Sequence, residues 1–166
     1  MKRFQLRSKD LTEKLTEYNL IIDKKQRVEL IDDRIILIDN EPSFFYYQNN
    51  NESNNNNNSS SNKDIIKKII PTLKYLQKNN ILKTVTIDMG AVKFIINGAD
   101  IMRPGIKELD QTITKDDFVA IIDINNKKPI AIGLALYSSS KIQTMTTGKV
   151  IKNIHYVGDE LWKFQP

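Results

Sequence analysis

From residue 84 onward the sequence is a succession of short β-branched and aliphatic runs, each closed by Gly, Pro, Asn or Asp. That punctuation favours strands. A helix must hold a 3.6-residue apolar period over several turns, whereas a strand needs only a few residues. The runs predict strands over 84–88, 101–103, 118–123 and 129–137, with a closing strand pair over 149–163. A short helix is expected over 90–96, a loop over 97–100, a turn at Pro104-Gly105-Ile106, a hairpin loop over 125–128 and one helical turn within 138–148. Many short strands and one short helix describe a small mixed β-barrel with the long apolar strand at its centre.

The first half reads as a small α+β domain. A strand over 3–7 leads into a helix with Ser8 as N-cap and Asp10 in the first turn, where a negative charge suits the helix dipole. Leu11, Leu15 and Tyr18 share one helical face, and the helix should end within 19–23. Strands follow over 27–32 and 34–39, then a turn at Asn40-Glu41-Pro42 and an aromatic strand Ser43-Phe44-Phe45-Tyr46-Tyr47. Residues 48–62 hold nine Asn and four Ser and nothing to bury, which predicts a flexible insertion. Ile65, Ile66, Ile69, Ile70, Leu73 and Leu76 have helical spacing interrupted by Pro71. The expected solution is an extended segment through Ile70, then a helix with Pro71 in its first turn running to about Asn79. The domain boundary is expected there, giving 1–80 and 84–164.

Composition narrows the function. There is no cysteine among the 166 residues, so disulfides, thiolate metal sites and a cysteine nucleophile are excluded. No apolar run approaches the ~20 residues that span a bilayer, and the opening residues carry no apolar core of a secretory signal; the expectation is a cytoplasmic protein with no membrane partner. Net charge is +5, concentrated in the first 83 residues, which hold 15 basic and 11 acidic side chains against 10 and 9 in the remainder. This is compatible with a polyanionic partner. No phosphate loop, dinucleotide fingerprint or nucleophile elbow occurs. The single histidine, His155, has no patterned acids or nucleophile beside it and is expected to pack in the closing strand. No catalytic residue, metal site or cofactor is therefore expected.

Within the second half, the run from Val85-Thr86-Ile87-Asp88-Met89-Gly90 through Asn97-Gly98-Ala99-Asp100-Ile101-Met102-Arg103-Pro104-Gly105 resembles the opening of a PUA domain. Asp117-Phe118-Val119-Ala120-Ile121 and Pro129-Ile130-Ala131-Ile132-Gly133-Leu134-Ala135 are similar to later strands of that domain. The ending from Gly148-Lys149-Val150 to Glu160-Leu161-Trp162 resembles the malignant T-cell-amplified sequence family and its archaeal relatives, which carry an N-terminal companion domain. Residues 27–47 and 70–74 look like that companion. The resemblance implies an α+β architecture, with the N-terminal domain packed on a C-terminal PUA-type mixed β-barrel. It also implies a non-catalytic RNA-binding protein of translation. Its partners would be tRNA or rRNA, together with the small ribosomal subunit and a translation-factor partner. The alternative reading is an RNA-docking accessory subunit of an RNA-modifying complex.

The candidate RNA-binding residues are Lys93, Gly98, Ala99, Arg103, Pro104, Gly105, Lys149 and Lys152. Gly98 permits positive φ and close backbone approach, so N–H groups of that loop could meet a phosphate or a base edge, with Lys93 and Arg103 supplying charge beside it. Lys149 and Lys152 flank Val150-Ile151 and would fall on opposite faces of a regular strand. Each has a plainer reading: Gly98 and Pro104-Gly105 as turn formers, the lysines as solvated, and Met102 as core. Phe44, Phe45, Tyr46 and Tyr47 could stack bases, but alternate ones must face inward.

Overall fold

The computed structural model describes residues 1–48 and 67–166. The chain is α+β and falls into two compact units, 1–70 and 71–166. The body of the Asn/Ser insertion, together with Ile65 and Ile66, lies outside the described residues.

The first unit is a five-stranded sheet in sequential order: β1 (Arg3–Leu6), β2 (Val28–Ile31), β3 (Ile35–Ile38), β4 (Glu41–Gln48) and β5 (Lys67–Pro71). Between β1 and β2 lie α1 (Ser8–Lys14) and a 3-10 turn over Thr16–Tyr18. Two hairpins are set by turn chemistry. Asp32 and Asp33 take φ of 47° and 55°, and Asp39 and Asn40 take 51° and 68°. Such paired left-handed residues suit two-residue loops between right-twisting strands. The expected turn over 40–42 therefore sits one residue earlier, and Pro42 enters β4. A register shift against β3 accommodates it: Leu37 faces Pro42 and Ile36 faces Phe44, so Ser43 is the extra residue. Ser8 is not the cap; Arg7 holds that position without a side-chain cap bond. Ser8 Oγ instead donates to the Gln26 carbonyl at 3.2 Å, while Arg7 pairs with Asp10. Leu11, Leu15, Ile31, Ile36, Leu37 and Phe44 are fully buried in this unit.

The second unit begins earlier than the sequence suggests. Pro71 ends β5, and Thr72 caps α2 (Leu73–Lys78), its side chain accepting from Tyr75 N at 3.2 Å. Helix α2, expected with the N-terminal part, packs against the central strand of the second unit and buries Leu73 and Leu76. The elements that follow are β6 (Thr84–Ile87), α3 (Met89–Ile95), β7 (Ile101–Met102), a 3-10 turn over Arg103–Gly105 and β8 (Ile106–Leu109). Next come β9 (Phe118–Asp123), β10 (Pro129–Ala135), α4 (Ser139–Thr144), β11 (Lys149–Tyr156) and α5 (Glu160–Lys163).

The sheet of this unit runs β7-β11-β10-β9-β6-β8. It is mixed, since β6 pairs parallel with β9 while its other pairs are antiparallel. The expected mixed β-barrel is not confirmed, and no closed barrel is found: β7 and β8 end the order, and no pairing between them occurs among the described residues. The expected closing strand pair is one strand and one helix. Gly158 turns the chain at φ 97°, and Asp159 caps α5 by accepting from Trp162 N at 2.8 Å. Val85, Ile87, Ile101, Ile121, Val150 and Ile151 lie in one buried cluster.

Candidate nucleic-acid interface

Helix α3 starts where Asp88 accepts from Ala91 N at 2.9 Å. It ends where Ala99 N–H reaches the Phe94 carbonyl and Gly98 N–H reaches the Ile95 carbonyl, each at 3.0 Å. That pair of bonds with a left-handed glycine is the Schellman arrangement. Gly98 has φ 93°, and a Cβ there would meet the Tyr156 ring at 3.2–3.3 Å. The N–H groups expected to face RNA thus close the helix instead.

The loop is held from β11. Asn153 Nδ2 donates to the carbonyls of Ile95 (3.0 Å) and Ala99 (2.9 Å), and Asn153 N–H donates to Asp100 at 2.8 Å. Asp100 also pairs with Lys149 at 3.4 Å. Gly98, Ala99, Asp100, Lys149, Asn153 and Tyr156 therefore gather in one place. Asn153 and Tyr156 had no role in the sequence reading, and no local signal marks a residue whose partners are more than fifty positions away.

Arg103 serves the frame. Its Nε donates to the Ile142 carbonyl at 2.8 Å, its Nη1 approaches the Ile106 carbonyl at 3.5 Å, and its backbone N–H donates to Gly148 O at 2.8 Å. These bonds tie β7 to the C-terminal end of α4 and to the Gly148 turn. Pro104 is exposed within the 3-10 turn. Gly105 accepts from Asp88 N at 3.0 Å, and a Cβ on it would press Ala91 at 3.2 Å. The run Arg103-Pro104-Gly105 is thus built into the packing of α3, β7 and α4.

The exposed surface nearby is apolar and basic. Phe94 is 59% exposed, with the Lys93 ammonium 5.1 Å from its ring centroid. Met102 is 49% exposed rather than core, and Lys149 is its cross-strand partner. Lys152 is exposed further along β11. Strict alternation does not hold at these lysines: Val150 and Ile151 are both fully buried, and β11 shifts register against β7 between Lys149 and Ile151.

His155 is 1% exposed and cannot meet a substrate. Its Nε2 accepts from Leu73 N–H at 3.2 Å, which places the ring proton on Nδ1, 2.7 Å from Asp159. Burial alone would raise the Asp159 carboxyl. Hydrogen bonds from His155 and from the N–H groups of Trp162 and Tyr156 outweigh it and hold the group below the usual carboxylate range. This clip joins β11, α2 and α5. No group of three or more metal-ligating side chains occurs among the described residues, and no described helix is long and apolar enough to cross a membrane.

The PUA domain family matches residues 83–157. A protein of Methanocaldococcus jannaschii is 41% identical over 99% of this chain and 97% of its own length. Translation machinery-associated protein 20 of Saccharomyces cerevisiae is 30% identical over 87% of this chain and 76% of its own. Among solved structures, a hypothetical protein of Pyrococcus horikoshii superposes with a TM-score of 0.74 at 28% identity, covering 98% of both chains.

Proposed function

Because this chain belongs to the PUA-domain family of translation machinery-associated protein 20 and the malignant T-cell-amplified sequence proteins, we propose that it binds RNA in translation without catalysing a reaction on it. The observation that carries the reading is the surface at the C-terminal end of α3. An exposed aromatic ring beside a lysine, and an exposed methionine whose cross-strand partner is another lysine, offer base stacking together with phosphate neutralisation. Lys93, Phe94, Met102 and Lys149 make the direct contacts, and Lys152 adds charge along β11. Gly98 and Ala99 shape the loop; Arg103, Pro104 and Gly105 hold it in place. The substrate class is tRNA or rRNA, the setting is the cytoplasm, and the small ribosomal subunit with a second translation factor is the assembly in which it acts.

Co-sedimentation with small ribosomal subunits tests the setting. The protein should pellet with them and release as salt rises. In a binding titration with tRNA, Phe94→Ala should cost about 1–3 kcal/mol, the range for losing one base stack. Lys93→Ala should flatten the salt dependence by about one phosphate contact. Incubation of tRNA and small-subunit rRNA with the protein and divalent metal should leave both uncut and unmodified; a new product would overturn the non-catalytic reading.

A further inference from the structure

The first unit holds a cleft of about 520 Å³, within the size range of small-molecule sites. Lys14, Leu30, Tyr46, Lys67, Lys68 and Ile69 line it, supplied by α1, β2, β4 and β5. Three lysines thus contribute to the lining of one concave space, together with the acidic residues Glu17 and Asp33. Two of the lysines are arranged around the tyrosine. Lys14 Nζ donates to Tyr46 Oη at 3.1 Å and lies 5.6 Å from the ring centroid, and Lys67 Nζ lies 5.9 Å from it. A lysine only donates, so the Tyr46 oxygen is the acceptor in that bond and its own O–H proton points elsewhere.

We propose that this cleft takes a phosphate group of single-stranded RNA, held by the ammonium groups of Lys14, Lys67 and Lys68 and by the Tyr46 hydroxyl. Compact ammoniums and a hydroxyl suit the tetrahedral oxygens of a phosphate. A site for a planar carboxylate is more often built on the guanidinium fork of arginine, and none lines this cleft. Residues 1–70 hold 12 basic and 11 acidic side chains, so the attraction for a phosphate is local to the lysines around Tyr46 and is not a property of the whole unit. The assignment of the phosphate to RNA rests on the function proposed above; the phosphate chemistry of the cleft does not.

The test is a backbone amide NMR titration of the full chain with two probes, a twelve-residue oligouridylate and inorganic tripolyphosphate. The oligouridylate should shift the amides of Lys14, Tyr46, Lys67 and Lys68. The double variant K67Q/K68Q should bind it several-fold more weakly, with a log–log salt slope shallower by about 1.4, at about 0.7 per phosphate on a single strand. Tyr46→Phe should weaken binding while keeping the parent salt slope. If the oligouridylate shifts only residues of the second unit and K67Q/K68Q binds as the parent does, the cleft assignment falls and the RNA-binding reading stands. Tripolyphosphate shifting the cleft while the oligouridylate does not would overturn the RNA assignment. If neither probe shifts the cleft, the phosphate site is overturned, and no RNA binding anywhere would sink the functional reading as well. Shifts on the parent chain decide the question even where a variant is unstable.

Discussion

At the scale of single residues, the glycines divide by what stands against them. A methyl on Gly133 would collide with Ile151 Cγ2 and press the Lys152 carbonyl at 3.2 Å, at a point where β10 already shifts register against β11. Gly133→Ala should therefore destabilise by about 1–3 kcal/mol, the usual cost of overpacking a filled core, seen as a lower denaturant midpoint. Gly98 is constrained by its φ and by Tyr156, so replacing it perturbs the end of α3 before it perturbs any ligand. Arg103 makes the same point from the charged side. Its guanidinium bonds two main-chain carbonyls of its own fold. Arg103→Ala should cost about 1–3 kcal/mol of stability, since it strips donors from partly buried acceptors. Chemical denaturation measures that cost. An unchanged midpoint with weakened RNA binding would return Arg103 to the contact surface.

At the scale of elements, the sequence was most legible where local chemistry decides the outcome. The strand over 118–123 could be read from a β-branched run bounded by turn residues. The helical turn after Ser138 follows from a short polar cap, which accepts from Lys141 N at 3.3 Å. Elements whose form depends on distant partners were misjudged. Helix α2 belongs to the second unit because its N-terminal N–H finds His155, 82 residues away. The last helix is not marked in the sequence, where Val157-Gly158-Asp159 suits a turn as well as a cap; the bonds that Asp159 accepts from Trp162 N and Tyr156 N distinguish them. At the candidate interface the sequence points to the residues and not to the bonds they make. Lys93 and Lys149 sit on the surface, but the bonds that occupy Gly98, Ala99 and Arg103 come from elements a linear reading does not bring together. Removing the cap should show in α5 itself: Asp159→Ala should cost about 0.5–2 kcal/mol, with amide exchange fastest at Leu161, Trp162 and Lys163.

At the scale of the whole molecule, three carboxylates among the described residues sit below their ordinary range. Burial opposes this at Asp159, where bonds from His155, Trp162 and Tyr156 prevail, and at Asp117, where the Thr114 N–H and Lys83 prevail; at Asp110 the Thr112 hydroxyl and N–H are the main cause. A carboxylate with a depressed folded-state pKa adds stability that is fully present above its unfolded value, near 4. That stability is lost as pH falls through the folded value. The thermal midpoint should therefore change little from about pH 7 to 5 and fall steeply below about pH 4. Asp159→Asn removes the charge and leaves one acceptor oxygen where Oδ2 now serves His155 and Tyr156 and Oδ1 serves Trp162. It should lower the midpoint at neutral pH, and the gap to the parent should narrow in acid, where the parent loses its charge too; a gap of constant size would mean the charge is not the cause.

The two strand orders also bear on how the chain is completed as it is made. In the first unit each strand pairs with the one synthesised just before it, so every new hairpin has its partner already waiting. In the second, β6 is flanked by β8 and β9, and among the described residues β7 pairs only with β11, some fifty residues later. Contacts that span so much chain form slowly, because the loop must close before any bond rewards it. A chain halted before β11 would hold its early hairpins in place while leaving the α3 loop without Asn153 and α2 without His155. Nascent chains released at successive lengths should accordingly gain protease resistance in the first unit strand by strand, and in the second only once Tyr156 has emerged.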